Sequence, residues 1–332
     1  MDYNRGFSAR YIAKLIDTDS FRETEEIYLK SGSITKTASD LLDSAELELV
    51  ENIGERYVRI YMEAIQGGAS ETVPLFTGLT AVPTHSIDGM RQTYTTEVYS
   101  VLKPASDVLL KRGWYAPAGI AGTSLIVQLL SDVQAPIEPA DDAPSLSESI
   151  IADDGMSKLS MALKVADAIN WRIRLDGSGT VYIEPKPTEA VAVFDGTTND
   201  VVEPEVSEEF DWYSCPNVLQ VVKDDVVAVA RDDSEDSVYS TVSRGREIWA
   251  QDSSVDLASN ESLAAYASRR LKELQTVQRK VSYKRRFSPD VYVGDLIRLN
   301  YPQVELSGLF RVESQTYDLG LGCSVSEEVT EV

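Results

Sequence analysis

Histidine and cysteine are almost missing from this chain of 332 residues: His85 is the one histidine, and Cys215 and Cys323 are the two cysteines. A structural tetrahedral zinc site takes four such ligands and a catalytic one usually three, so no metal site of this kind is expected, and no CxxC spacing occurs. One Cys–Cys pair stays open. The shortage of imidazole also removes the commonest proton-transfer group and leaves carboxylates for any acid–base chemistry. Long apolar runs are absent too. None approaches the roughly 18 to 20 residues that a membrane span needs, so no membrane insertion is expected. The opening "MDYNRGFSARYIAKLID" has neither the apolar stretch nor the small-residue cleavage site of a secretory signal. No Walker-type loop is present, and "DGSGTVYIEPKP" carries its glycines in a hairpin rather than ahead of a helix. "GTS" at 122–124 and "GCS" at 322–324 lack the GxSxG of a nucleophile elbow, and His85, in "VPTHSID", reads as an exposed or satisfied histidine. No cofactor is expected.

What the chain does have is acid, with a formal net charge of -23. Thirteen carboxylates fall between Asp195 and Asp236, while base gathers just after, from Arg269 to Arg286. The acidic stretch reads as a solvated loop, or else as a contact between subunits or the wall of a passage that must not hold DNA, because anionic walls repel phosphates. The basic stretch, set in so anionic a protein, makes a poor nucleic-acid patch. Arg279, Lys280, Lys284, Arg285 and Arg286 are therefore candidates for a subunit interface, together with Trp114 and Trp212 of "RGWYAPAG" and "EEFDWYSCPN", since aromatic residues enrich interfaces. Adjacent acids (Asp141 and Asp142, Asp153 and Asp154, Glu208 and Glu209) are weak signals in such a composition. Asp153-Asp154-Gly155 lacks the alternating ligands of a calcium loop and suits the N-terminus of a helix.

The fold class expected is α+β and mainly β, with two related small antiparallel β-barrels flanking a small α/β module. Residues 1–104 form the first barrel domain: short runs rich in Val, Ile, Tyr and Thr are separated by Gly, Asn or Pro. "TASDLL" (37–42) reads as one helical turn capped by Thr37 or Ser39. In "RQTYTTEVYSVL", Tyr94, Thr96, Val98, Ser100 and Leu102 share one face of a strand whose other face is wetter. Residues 105–187 form the α/β module. A helix over 123–132, capped by Thr123 or Ser124, presents Leu125, Ile126, Leu129, Leu130 and Val133. A second helix, capped by Ser157, leads into a hairpin whose "DGSG" supplies the turn. Residues 188–332 form the second barrel domain and contain a helix over 260–278, capped by Asn260 or Ser262, with Leu263, Tyr266, Ala267, Leu271 and Leu274 on one stripe. In "DVYVGDLIRLNY", Val291, Val293, Ile297 and Leu299 point to a core, Gly294 allows a tight bend and Asp295 bonds local backbone N–H groups. The runs "RYVRIYMEAI", "TVPLFTGLTAVPTHSI" and "RQTYTTEVYSVL" match in grammar "KVSYKRRF", "VGDLIRLNYP" and "GLFRVESQTYDLGLG", which suggests an internal duplication.

"PLFTGLT", "EVYSVLKPASDVLLKRGWYAPAG", "GMSKLSMALKVADAINWRIRLDGSGTVYIEPKP" and "VYVGDLIRLNYPQVELSGLFRVESQTYDL", in this order, resemble phage and prophage tail proteins of the baseplate-hub or tail-hub class. The resemblance spans roughly residues 10 to 325. It implies a non-enzymatic virion protein, assembled in the host cytoplasm, whose homotrimer carries two related barrels per subunit. The resulting pseudo-sixfold ring would join the tail tube or distal tail proteins to a tip or spike protein, with DNA passing through unbound. Two other functions stay open on the residues alone: a tail-tip peptidoglycan hydrolase using carboxylates, and a carbohydrate-binding receptor module.

Overall fold

Strands dominate the first hundred residues of the computed structural model, which describes residues 1–141, 144–196, 202–210, 212–223, 226–252, 262–275 and 279–332. They are β1 (Ser8–Ile16), β2 (Glu23–Ile27), β3 (Leu29–Thr37), β4 (Ser44–Leu49), β5 (Tyr57–Gln66), β6 (Ala69–Thr80), β7 (Thr84–Asp88) and β8 (Arg91–Ser100). Next come α1 (Lys103–Asp107), β9 (Tyr115–Ala116), α2 (Gly122–Leu129), β10 (Ile137–Pro139), β11 (Ile150–Ile151), α3 (Lys158–Ala168), β12 (Trp171–Leu175) and β13 (Val181–Pro185). The rest comprises β14 (Ala192–Asp195), β15 (Val202–Phe210), β16 (Val218–Lys223), β17 (Val226–Arg231), α4 (Thr241–Arg244), β18 (Trp249–Asp252), α5 (Leu263–Leu274), β19 (Arg279–Arg285), β20 (Leu296–Tyr301), β21 (Leu306–Asp318) and β22 (Val325–Glu331). The class is α+β and mainly β.

Two compact units are formed. The first comprises Met1–Ser207 and Ser282–Thr330, the second Glu208–Val281. In the second unit β16 lies between β17, antiparallel to it, and β18, parallel to it. Helix α5 packs Tyr266, Ala267 and Leu271 against Leu219, Val221 and Ala230 of this sheet, the stripe its periodicity predicts. Its cap is Ser262, whose hydroxyl accepts from Ala265 N; the other expected cap, Asn260, and the two ends of the expected helix, 260–261 and 276–278, lie outside the described residues.

In the first unit the hydrogen-bonded order of the large sheet is open, and no closed barrel is formed among the described residues. The order nevertheless repeats itself. The first half reads β2-β1-β5-β6-β8-β4-β3, and the second reads β14-β20-β21-β22-β19-β15. With β1 set aside, β2, β5, β6, β8, β4 and β3 match β14, β20, β21, β22, β19 and β15 one for one. Directions agree as well: β2 is antiparallel to β1 and β1 to β5, so β2 runs parallel to β5, and β14 runs parallel to β20. Tyr28 alone separates β2 from β3, so one stretch of chain flanks both ends of the first half. The run-by-run match drawn from sequence is shifted by one strand: "KVSYKRRF" is β19 and corresponds to β4, while "RYVRIYMEAI", β5, corresponds to β20. Short alternating strands look alike in sequence; only their neighbours in the sheet tell them apart.

The α/β module packs on a core it shares with Ile16 of β1, Tyr57 of β5 and Leu41, with Leu125, Ile126, Leu129 and Leu130 of the α2 region against Met161 and Val165 of α3. Ser157 caps α3 as expected, accepting from Ser160 N. Asp153 and Asp154 do not cap it; they are exposed and pair with Lys164 and Arg112. Helix α2 begins at Gly122, behind an Ala121 cap with no side-chain bond, rather than at Thr123 or Ser124. "TASDLL" forms a turn and no helix: the Thr37 hydroxyl donates to Asp40 Oδ1 at 2.6 Å and Leu41 takes a φ of 54°. The "DGSG" hairpin forms as expected, with Leu175 opposite Val181.

Candidate assembly interface

The residues expected at an interface are scattered. Arg285 is buried, with 0% of its side chain exposed, and belongs to the sheet core, so it reaches no second subunit. Its alternation along β19 places it with Val281 and Tyr283 on the inward face, a signal that a count of basic residues overlooks. Lys284, next along the strand, pairs with Glu203 at 3.4 Å, and Arg279 forms a bidentate pair with Glu208 at 2.8 Å. Lys280 is exposed and Arg286 half-buried. Trp114 is half-buried and packs on the core of the α/β module, whereas Trp212 is 53% exposed.

A broader surface emerges from the strands themselves. The run β7-β8-β4-β3-β21-β22-β19-β15 is continuous, carried from one half of the sheet to the other where Ser314–Asp318 of β21 runs antiparallel to Thr37–Ser33 of β3. One face of this run is buried and mainly apolar, with Ala45, Leu47 and Leu49 of β4, Val98 of β8, and Val325 and Val329 of β22, around the buried polar side chains of Lys36, Arg285, Gln315 and Glu327. The other carries hydroxyls and carboxylates, because strand residues alternate between faces. Thr35 and Thr316 bring their hydroxyls to 3.4 Å across the junction. A hollow of about 340 Å³ reaching from β15 to β21 is lined by Glu203, Glu205, Ser282, Ser314 and Glu328, with Lys284 among them. Glu46 sits directly opposite Glu97. Like charges so placed weaken a sheet, so their presence calls for a reason other than stability.

The Gly294-Asp295 corner behaves as its sequence suggests and does more. Gly294 has a φ of 81°, and Asp295 accepts from Tyr292 N at 2.8 Å. Its other oxygen bonds Arg172 of β12 at 2.8 Å, and Arg172 and Arg174 share Glu184 of β13. A corner of the large sheet thus holds the hairpin of the α/β module. Arg172 and Gly294 also line a pocket of about 410 Å³ with Trp171, Leu163 and Pro187. Sequence spacing gives no hint of this pairing, since Arg172 and Asp295 are 123 positions apart.

Among the described residues no group of three or more His, Cys, Asp or Glu could hold a metal ion. Cys215 and Cys323 are both buried, and the Cys215 thiol donates to the Leu274 carbonyl at 3.7 Å. His85 stacks on Tyr94 with ring centroids 4.5 Å apart. Burial pushes the Asp43 carboxyl up to about 6, against the attraction of Lys36 and the Thr37 N–H bond. That value would suit a general acid, but Asp43 is 2% exposed and out of a substrate's reach. Lys36, also buried, has its amine pushed down by burial, with Asp43 opposing.

Asp43 carries a pH signature. A carboxyl raised in the folded state contributes stability that is full below the ordinary carboxylate range and is lost as pH rises through about 6. An Asp43→Asn variant has no such loss. Its stability relative to the parent is therefore expected to improve by about 2 kcal/mol between about pH 4 and pH 7.5. Urea unfolding across that range measures the difference, and a flat difference would refute the assignment.

Three solved structures share this fold over nearly the whole chain. A tail protein from Neisseria meningitidis MC58 aligns over 98% of this chain and 97% of its own, with a TM-score of 0.65 and 12% identity. The 43 kDa tail protein of prophage MuSo2 from Shewanella oneidensis aligns over 97% and 98%, with a TM-score of 0.64 and 12% identity. Prophage tail protein gp18 from Listeria monocytogenes EGD-e aligns over 96% and 94%, with a TM-score of 0.53 and 11% identity. No protein-family model matches the sequence, and no curated protein matches it. At these identities the likeness is one of fold, and the fold is that of prophage tail proteins.

Proposed function

We propose that this chain is a structural, non-catalytic subunit of a phage or prophage tail, a hub whose homotrimer forms a pseudo-sixfold ring. The reading keeps three parts per subunit: β units in residues 1–104 and 188–332, each a barrel once its flanking strands meet, and the α/β module of 105–187 between them. The observation that carries it is the repeated strand order within one chain. Two related units per subunit let three copies mimic a sixfold neighbour, which is what an adaptor between a sixfold tube and a threefold tip requires. Tail-tube or distal tail proteins on one side and a tip or spike protein on the other are the partners this symmetry suits.

The carboxylate and hydroxyl face supports DNA passing through the ring without being held, because its carboxylates repel phosphates and its Lys30 and Lys284 are paired with Glu48 and Glu203. The virion tail is then the protein's location, reached by assembly in the host cytoplasm. Among the described residues no helix is long and apolar enough to cross a membrane. Light scattering of the purified chain is expected to give three chain masses, and averaged electron micrographs a ring with six similar lobes. A chain that stays monomeric, or a ring of another order, would overturn the reading.

A further inference from the structure

The sheet of the second unit has one face covered by a helix and one face bare. Successive residues of a strand point to opposite faces, and Leu219, Val221, Ala228, Ala230 and Ala250 pack with helix α5. The residues between them face away from the helix: Gln220 of β16, Val227, Val229 and Arg231 of β17, and Trp249 and Gln251 of β18. Strand pairing sets them in rows. Arg231 and Trp249 lie on either side of Val218, and Val229 and Gln251 on either side of Gln220.

The first row is braced. Glu247 reaches both ends of it, with one oxygen 2.7 Å from Arg231 Nη1 and the other accepting from Trp249 Nε1 at 2.9 Å. The bond from Arg231 holds the Glu247 carboxyl below its usual range, so the brace stays charged and fixes the indole. The ring it fixes is 53% exposed. In the second row Val229 is 51% exposed, and neither Gln220 nor Gln251 has a side-chain hydrogen bond among the described residues. An amide supplies donors and an acceptor together.

Size and charge separate the occupants this face could take. Trp249, Val227 and Val229 expose on the order of 300 Å² of apolar surface, well under the about 800 Å² that each side of a free-standing protein interface buries. A second copy would be too weakly held. Anionic polymers are repelled by the net charge of -23, and Arg231 is already engaged by Glu247 and Asp233. What fits is an uncharged ligand that combines flat C–H faces with hydroxyls, as a pyranose ring does. An N-acetyl group adds a methyl suited to Val229 and an amide suited to Gln220.

We propose that this face binds an uncharged glycan of N-acetylhexosamines, with Trp249 stacked on one sugar ring and Gln220 and Gln251 bonding the acetamide and hydroxyls of its neighbour. The site lies within the second unit and does not depend on the ring.

Calorimetry of the full chain with chitotetraose tests it, beside maltotetraose, which has pyranose rings and hydroxyls but no acetamide. The parent is expected to bind chitotetraose, and maltotetraose about tenfold more weakly. Trp249→Ala should weaken chitotetraose binding about tenfold through lost stacking, and Gln251→Ala about fivefold. Both side chains are exposed, so neither change threatens the fold. Ile151→Ala, at a residue 68% exposed on β11, is the control and should bind as the parent does. A parent that takes up neither sugar, or a Trp249→Ala variant that binds like the parent, would overturn the proposal. Equal affinity for the two sugars would overturn the acetamide contact. Self-association that Trp249→Ala weakens and chitotetraose leaves unchanged would give the face to a second copy and overturn the glycan.

Discussion

Replacing Glu327 by Leu is expected to cost about 3 to 5 kcal/mol of stability, because it strands a buried guanidinium. Arg285 of β19 and Glu327 of β22 pair with neither side chain exposed, and Glu327 also accepts from the Tyr283 hydroxyl and from Gln315 Nε2 at 2.7 Å. Arg285 has few alternatives: Nη1 donates to the Arg286 carbonyl, Nε has no partner among the described residues, and the group lies 4.7 Å from the Phe194 ring centre. Burial opposes its charge, and Glu327 more than offsets this, so the guanidinium is held above its ordinary range. The pair itself need not be a net stabiliser. A double variant, Arg285→Met with Glu327→Leu, is expected to recover most of the loss, since well-packed apolar replacements of buried pairs are often neutral. Urea unfolding of parent, single and double variants reads the cycle. A single variant costing less than about 1 kcal/mol would mean that water or another group reaches Arg285. What the network supplies is register, because its members come from β19, β21 and β22 and meet only when these strands are aligned.

The Gly177→Ala variant should lose about 3 kcal/mol for a different reason, overlap with backbone that has nowhere to go. A Cβ at Gly177 would lie 1.8 Å from the Pro74 carbonyl oxygen and 2.9 Å from Leu75 N. The hairpin tip is pinned there: the Thr77 hydroxyl donates to the Gly177 carbonyl at 2.9 Å, and Arg59 Nη2 to the Ser178 carbonyl at 2.7 Å. Within the tip, Asp176 accepts from Ser178 and Thr180 N, and Gly179 holds a φ of 83°. Making room for the methyl group lifts the tip and breaks the Thr77 and Arg59 bonds together. Gly6→Ala, where a Cβ would meet nothing within 4 Å, is the control and should stay within about 0.5 kcal/mol of the parent. Equal effects at the two positions would sink the explanation.

Local periodicity was a good guide to elements and to their inward faces. Trp171, Ile173, Val181 and Ile183 alternate inward as read, and Val291, Val293, Ile297 and Leu299 are all buried. Ser157 and Ser262 cap helices because a short hydroxyl ahead of an apolar stripe has few other uses. What sequence hid depends on partners far along the chain. Arg285 counted as surface charge until its carboxylate, 42 positions away, was known. Asp295 was legible as a turn residue bonding its own backbone, but its bond to Arg172 was not. The repeat was detected and its phase misread by one strand, because β4 and β5 differ less in composition than in whom they sit beside.

The repeat also assigns a place in the chain to the second unit. Strands β3 and β4 are joined by a turn spanning residues 38–43, whereas their counterparts β15 and β19 are separated by residues 211–278, which carry β16, β17, α4, β18 and α5. The second unit is thus a guest within a hairpin loop whose ends the host sheet already holds together. Entropy charges little for the length of such a loop, since each doubling adds only about 0.6 kcal/mol. Such a loop can therefore be exchanged, enlarged or dropped while the host strands keep their pairing.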